Sequence, residues 1–359
     1  PRSFPSKLTA YLWQRYKAFN GDGKKGMIIL PTELVSNNGH VLKQFVLKHA
    51  SNNNFPAEFI QWVTNSNHFC NTLVDRIVPG KSEKDDVING DNNIQYTDHL
   101  HTTVEPYLLW AIEGNDMVRQ KLSFIQTDNR AIVAESIESF KEQKLRILNG
   151  SNTSVVAPAY LAGLNTVYDT VTDPLFTVFT QQLIDLEILP TITGNCPSAP
   201  AFAKEVMERF RNPFIQYPLL NVAMQYSGKM NSRNVTTIIR YYKSFDKYPP
   251  LLSIGLASFF LFYTPAGKEN DVYYGMRNHE KYLYRDEHTI FLCGILEGID
   301  WNNNIAAEKS VSAILNNDKI FSSGLASLPD IGGMIATLCR QLINEGIRNT
   351  IQQNLTSDL

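Results

Sequence analysis

Two short stretches carry residue types that could do chemistry together. The first is Lys144-Leu-Arg-Ile-Leu-Asn149-Gly-Ser-Asn152. A lysine set among Leu145, Ile147 and Leu148 can be desolvated, which lowers its pKa and lets it exchange a proton near neutrality. A carboxamide such as Asn149 can orient a hydroxyl or polarise a carbonyl without titrating. On an α-helix Lys144 and Leu148 share a face, and Asn149 lies one step round from it. Such a pair suits proton transfer at an oxygen where charge develops. On spacing alone the competing reading is a solvated surface lysine.

The second stretch is Asn71-Thr-Leu-Val-Asp75-Arg76-Ile-Val-Pro79. Arginine can meet a carboxylate through two parallel hydrogen bonds, so Asp75 and Arg76 read as a structural ion pair that fixes a turn. Asn71 could donate to a substrate oxygen or cap that turn. A third pattern, Gly21-x-Gly23-x-x-Gly26, matches the dinucleotide fingerprint literally. That mechanism needs a strand before the loop and a helix after it. Here a helix precedes and a strand follows, so the pattern reads as a surface turn.

The elements that must position these residues fall into two groups. Leu8, Tyr11, Leu12 and Tyr16 predict an amphipathic helix over 7–18. Met27-Ile-Ile-Leu30 suits a short buried parallel strand. Helices are expected over 38–50 and 56–64, a strand or turn over 71–78, a solvated loop over 80–93, and strands over 107–112 and 131–134. From about residue 138 helical periodicity takes over, at 139–149, 154–170, 174–188, 199–211, 215–228, 232–245, 250–263 and 330–353. The expected fold class is therefore α/β plus all-α. An α/β domain covers residues 1–137 and a mostly helical domain covers 138–359.

Composition bounds the function classes. With 359 residues, 43% of them hydrophobic, the chain can bury a sizeable core. A net charge of −2 gives no electrostatic argument for nucleic acid or for an anionic membrane. The longest apolar run, Leu251 to Tyr263, is broken by Ser253, Gly255 and Ser258 and is short of a spanning helix, so it reads as a buried helix. The four cysteines, Cys70, Cys196, Cys293 and Cys339, form no CxxC pair; a reducing cytoplasm fits better than a disulfide or zinc framework.

Taken together, the two stretches resemble the signatures of the long-chain mannitol dehydrogenase family, Asn-x-x-Val-Asp-Arg-Ile-x-Pro and Lys-Leu-Arg-x-Leu-Asn-Gly-Ser-His. Pro31-Thr-Glu33-Leu-Val-Ser-Asn-Asn38-Gly39 and Arg209-Phe-Arg211-Asn-Pro213 are further matches. The resemblance implies a Rossmann-type domain followed by a helical substrate domain, and metal-independent hydride transfer with NAD. It implies Lys144 as acid/base, Asn71 and Asn149 as oxyanion donors, and Thr32, Glu33 and Asn38 as cofactor-binding residues. Within the family the likeness is strongest to members acting on a keto-sugar acid. Arg209 and Arg211 are candidates for its carboxylate, their alternative being to complement a helix C-terminus. Asn152 stands where the family has histidine; it can bind substrate but cannot exchange a proton. The chain opens on Pro1, and the family's phosphate-binding strand and helix are expected upstream of it. A non-catalytic relative that only binds a sugar acid or a protein partner is the reading from another class.

Overall fold

A computed structural model of the chain describes residues 2–78, 100, 102–194, 196–321 and 324–356. Pro79 and the expected loop over 80–93 lie outside them. The chain divides into two compact units, Pro1–Lys141 and Glu142–Leu359.

The first unit opens with helix α1 (Phe4–Ala18). The Ser3 hydroxyl accepts the Ser6 amide, Ser6 answers the Ser3 amide, and Pro5 sits in the first turn. Strand β1 (Ile28–Ile29), helices α2 (Asn38–Asn52) and α3 (Ala57–Ser66), and strands β2 (His68–Phe69) and β3 (Thr72–Asp75) follow. Strand β4 (Leu109–Glu113), helix α4 (Asp116–Lys121) and strand β5 (Ala131–Ala134) complete the unit. Leu12, Val46, Ala50, Phe59 and Val63 close the seam between the first three helices. Gly26 of the glycine-rich turn has a packing role, because an added Cβ would lie 1.6 Å from the Ser66 carbonyl oxygen.

Strands β1 and β2 pair in parallel, Ile28 opposite His68. Strand β3 runs antiparallel to β4, and β4 runs parallel to β5. The Glu113 amide donates to the Asn71 carbonyl at 2.8 Å, so the chain passes from one pairing to the other through Cys70 and Asn71. The carboxyl ends of β1 and β2 therefore open beside α2, the edge where open α/β sheets bind ligands.

The second unit is helical. Helix α5 (Glu138–Gln143) leads without a break into a π-helical segment, π1 (Lys144–Gly150), and then into α6 (Ser151–Leu161). Next come α7 (Val167–Thr172), α8 (Pro174–Gln182), π2 (Leu183–Ile188), α9 (Ala199–Phe210), α10 (Leu219–Val222) and α11 (Tyr226–Met230). Segment π3 (Asn231–Val235), α12 (Thr236–Phe245) and α13 (Pro250–Tyr263) follow. The unit ends with strands β6 (Gly267–Glu269), β7 (Val272–Arg277) and β8 (Glu280–Leu283), then α14 (Thr289–Leu296), α15 (Asn304–Leu315), α16 (Ile331–Asn344) and α17 (Ile347–Asn354).

Helix α13 is the spine of this unit, buried on every face and packed on α6 and α16. Residue 158 is proline, so the Ser154 carbonyl has no amide four residues on to receive. Gly255 fits against that carbonyl, where a Cβ would come within 2.7 Å of the oxygen. The Glu187 carboxylate, on π2, accepts the Leu251 and Leu252 amides at 2.7 Å each and so caps α13. Burial holds the Glu187 carboxyl up at about 7.

The antiparallel sheet β6-β7-β8 and helices α14 and α15 go beyond the sequence reading. The β7–β8 turn is Asn278-His279, with φ of 50° and 67°, a hairpin geometry usually signalled by Asn-Gly. No helix among the described residues is long and apolar enough to cross a membrane.

The Glu187 cap has a pH signature. Its folded-state pKa lies above the ordinary carboxylate value of 4.5, so its contribution is fully present below that value and is lost as pH rises through about 7. Melting temperature should fall across that window in the wild type. In Glu187→Gln the fall should be smaller by a few degrees, read by calorimetry at pH 5 and pH 8.

Candidate active site

The segment bearing Lys144 is π-helical, and this corrects the α-helical face drawn from the sequence. At 3.6 residues per turn, residues five apart point roughly 140° from one another. The i→i+5 winding of a π segment takes in nearly one more residue per turn and brings residues five apart to within roughly 50° of each other. Lys144 and Asn149 thus come to one side of π1. Both are half-buried, whereas Arg146, Ile147, Leu148 and Gly150 are buried.

Arg146 fixes this segment. Its Nη1 donates to the carbonyls of Ser232 (3.0 Å) and Arg233 (2.8 Å) on π3. Its Nε lies 3.7 Å from the Glu142 carboxylate, which also pairs with Arg240. Asn234 Nδ2 donates to the Gly150 carbonyl at 3.0 Å and also bonds Ser154 Oγ. Arg233 Nη1 donates to Thr153 Oγ1 at 3.0 Å. The two π segments are thereby laced together at both ends.

Sequence reasoning missed two cations on this seam. Lys229, on α11, donates to the Val222 carbonyl at 2.8 Å. Burial, then the neighbouring Arg233 charge, lowers its pKa to about 8, and Asp286 opposes the fall. Burial likewise lowers Arg233 to about 10. Their motif, Gly228-Lys-Met-Asn-Ser-Arg233, carries no spacing signal; only the fold reveals that they are half-buried.

The other expected site residues of this unit are placed as follows. Arg209 is buried in the last turn of α9, a helix packed on π1. Arg211 is the C-cap of α9 and pairs with Glu208 at 3.0 Å near the surface. Asn152 lines a narrow cavity of about 10 Å³ with Val155, Val167, Thr170, Thr180 and Phe210. That is room for a water molecule and not for a sugar. Arg277 stacks on Tyr160 at 4.0 Å and donates to the Leu164 carbonyl at 2.8 Å, a cap for the end of α6.

In the first unit, Asn71 sits between the α2 N-terminus and β4. Its Oδ1 accepts the His40 amide at 3.2 Å, and its Nδ2 donates to Glu113 Oε1 at 2.8 Å. Asn38 is buried and saturated. Its Nδ2 reaches the carbonyls of Pro31, Glu33 and Thr72, and its Oδ1 accepts the Gly39 and Thr72 amides. It holds the loop after β1, on which Thr32 and Glu33 are exposed. Asp75 is buried at the end of β3. Arg76 Nε donates to the Glu105 carbonyl at 2.9 Å, and the Glu105 carboxylate takes the Ile77 amide at 2.5 Å.

Residues 2–126 match the mannitol dehydrogenase Rossmann domain, and residues 136–343 match the mannitol dehydrogenase C-terminal domain. The chain belongs to the mannitol dehydrogenase family. Its first unit is the Rossmann-type domain and its second the helical C-terminal domain of that family, and it is an oxidoreductase acting on a CH–OH group. It is similar to the altronate oxidoreductase of Yersinia enterocolitica serotype O:8, 33% identical over 351 residues, 98% of this chain and 71% of that protein. The altronate oxidoreductase of Halalkalibacterium halodurans is 36% identical over 287 residues, 80% of this chain and 56% of that one. Among solved structures, Pseudomonas fluorescens mannitol 2-dehydrogenase in ternary complex with NAD and D-mannitol aligns with a TM-score of 0.71 at 21% identity, covering 99% of this chain and 67% of that chain. A substrate-free D-sorbitol dehydrogenase aligns with a TM-score of 0.74 at 18% identity, covering 98% and 67%. At those identities the two structures speak to the fold.

The π1–π3 seam predicts the effect of Arg146→Ala. The carbonyls of Ser232 and Arg233 lose their donor and Glu142 keeps only Arg240 as its cation, which should cost roughly 1–3 kcal/mol. The melting temperature should drop by several degrees, and turnover should fall further than the unfolded fraction accounts for. Both are read on one sample by thermal melt and steady-state rate.

Proposed function

We propose that this chain interconverts a keto-sugar acid and its alcohol with NAD, and that the pair is D-tagaturonate and D-altronate. The observation that carries the reading is that Lys144 and Asn149 stand half-buried on one π segment, in a chain whose relatives are altronate oxidoreductases. When bound, NAD supplies the hydride chemistry at the substrate carbon. The first unit suits such a nucleotide: the exposed Thr32 and Glu33, on the loop held by Asn38 at the carboxyl edge of β1, would hold it. Asn38 acts through that loop, since its own amide is fully engaged.

The chain's own residues then have separate tasks. In reduction, protonated Lys144 gives its proton to the oxygen on which negative charge develops; in oxidation, neutral Lys144 takes the hydroxyl proton. Asn149 donates an N–H group to that oxygen. Loss of one such donor typically costs roughly 100- to 1000-fold in rate. The substrate carboxylate needs a cation, and Lys229 with Arg233 meets the need better than Arg211, which is already paired with Glu208. Arg209 is buried on α9, a helix that packs on π1. The partner is a small-molecule sugar acid.

Lys144→Ala should lose nearly all NADH-dependent reduction of tagaturonate, by at least roughly 1000-fold, with its circular dichroism unchanged. Near-normal turnover would sink the acid/base assignment. Neutral mannitol or fructose turned over as fast as the acid would sink the substrate assignment.

A further inference from the structure

One carboxylate behind the candidate site is held more tightly than any role so far requires. Asp286 lies in the segment after β8. Its Oδ2 accepts the Ser227 amide at 2.7 Å and the Tyr263 hydroxyl at 2.7 Å. Its Oδ1 accepts the Ser227 hydroxyl at 2.8 Å and the His288 amide at 2.9 Å. The neighbouring residues add two links, from the Gln225 amide to the Arg285 carbonyl (2.7 Å) and from the Glu287 amide to Gln225 Oε1 (3.3 Å). Three elements thus meet on one side chain: the first turn of α11, the last residue of α13, and the start of the segment leading to α14.

The helix turn that Asp286 holds is the one that carries Lys229. Ser227, its partner twice over, lies two residues before that lysine. The charges facing Lys229 are Arg233 from π3 and Asp286 from the post-β8 segment, with opposite effects on its protonation. Tyr263 on α13 is a neutral donor to Asp286, and burial together with that carboxylate keeps its phenol protonated well above the ordinary value.

We propose that Asp286 is the positioning residue for the carboxylate-binding cation, fixing the α11 turn through Ser227 and keeping Lys229 charged beside Arg233. The inference rests on the reading of Lys229 as the partner of the substrate carboxylate. Two cations side by side in a half-buried wall repel each other, and each is disfavoured by desolvation. One carboxylate held in place by four donors offsets both without itself reaching for the substrate. Asp286 thereby becomes a determinant of preference for acids over neutral polyols, although it touches neither.

The test is the KM for tagaturonate in wild type and Asp286→Asn, measured from pH 6.5 to 9. Asparagine can still accept the Ser227 amide but brings no charge. The expected result is a KM ratio of a few-fold at pH 6.5, growing to ten-fold or more at pH 8.5, with kcat within two-fold. A ratio that is constant with pH, or a loss confined to kcat, would overturn the proposal, because a purely structural carboxylate gives one of those. If Asp286→Asn does not fold, Asp286→Ser serves in its place. NMR titration of 13C-methylated Lys229 in wild type and variant supports the proposal if the variant's midpoint lies about a unit or more below that of wild type; an unchanged midpoint overturns it, since the carboxylate then does nothing to keep Lys229 charged. Absence of any sugar-acid turnover in wild type would instead sink the functional reading, and the Lys229 midpoint compared between wild type and the Asp286 variant would still test Asp286.

Discussion

The seam between π1 and π3 is the constraint on which the candidate site of the second unit depends. A π turn spaces its backbone bonds one residue wider than an α turn, a winding that is rare and frequently found at functional sites. Here side chains hold it. Arg146 reaches two carbonyls of π3, and Asn234 reaches back to the carbonyl of Gly150. On one side of the seam stand Lys144 and Asn149; on the other stand Lys229 and Arg233. The proposed proton-transfer pair is carried on π1, and the proposed cation pair on π3 and the α11 turn that leads into it.

The first unit uses asparagine in two different ways. Asn38 spends its whole amide on backbone groups and makes the turn after β1 rigid. Asn71 is bound once through its oxygen and once through its nitrogen, to His40 and Glu113. An amide nitrogen carries two N–H groups. One N–H suffices for the Glu113 bond, and the other suits an oxygen in need of a donor. The same residue type thus serves as scaffold in one place and as candidate donor in the other, decided by how many of its bonds the backbone takes.

Much of this was legible in the sequence. Apolar spacing gave α1, α2 and α3 to within a few residues, and the run at 131–134 coincides with β5. The change of rhythm near residue 138 marked the passage to helices because buried helices and buried strands differ in length and period. The π winding was not legible. Lys-Leu-Arg-Ile-Leu-Asn-Gly is as compatible with an α-helix as with a π segment, since the two differ by one residue per turn and not in composition. Lys229 and Arg233 were invisible for a related reason: a cation's burial depends on what packs over it, and Asp286, which faces Lys229, lies far along the chain just after a sheet too short and polar to read as strands.

The central claim is that Lys144 moves the proton and that Asn149, wound onto its side, steadies the oxygen. Chemical rescue tests this most directly. Small primary amines such as methylamine are added to Lys144→Ala, and tagaturonate reduction is followed by NADH absorbance. The account predicts that turnover returns with saturable dependence on amine, varies with amine pKa, and is far weaker when Asn149 is also replaced by alanine. A folded Lys144→Ala enzyme that binds NADH yet responds to no amine would contradict it.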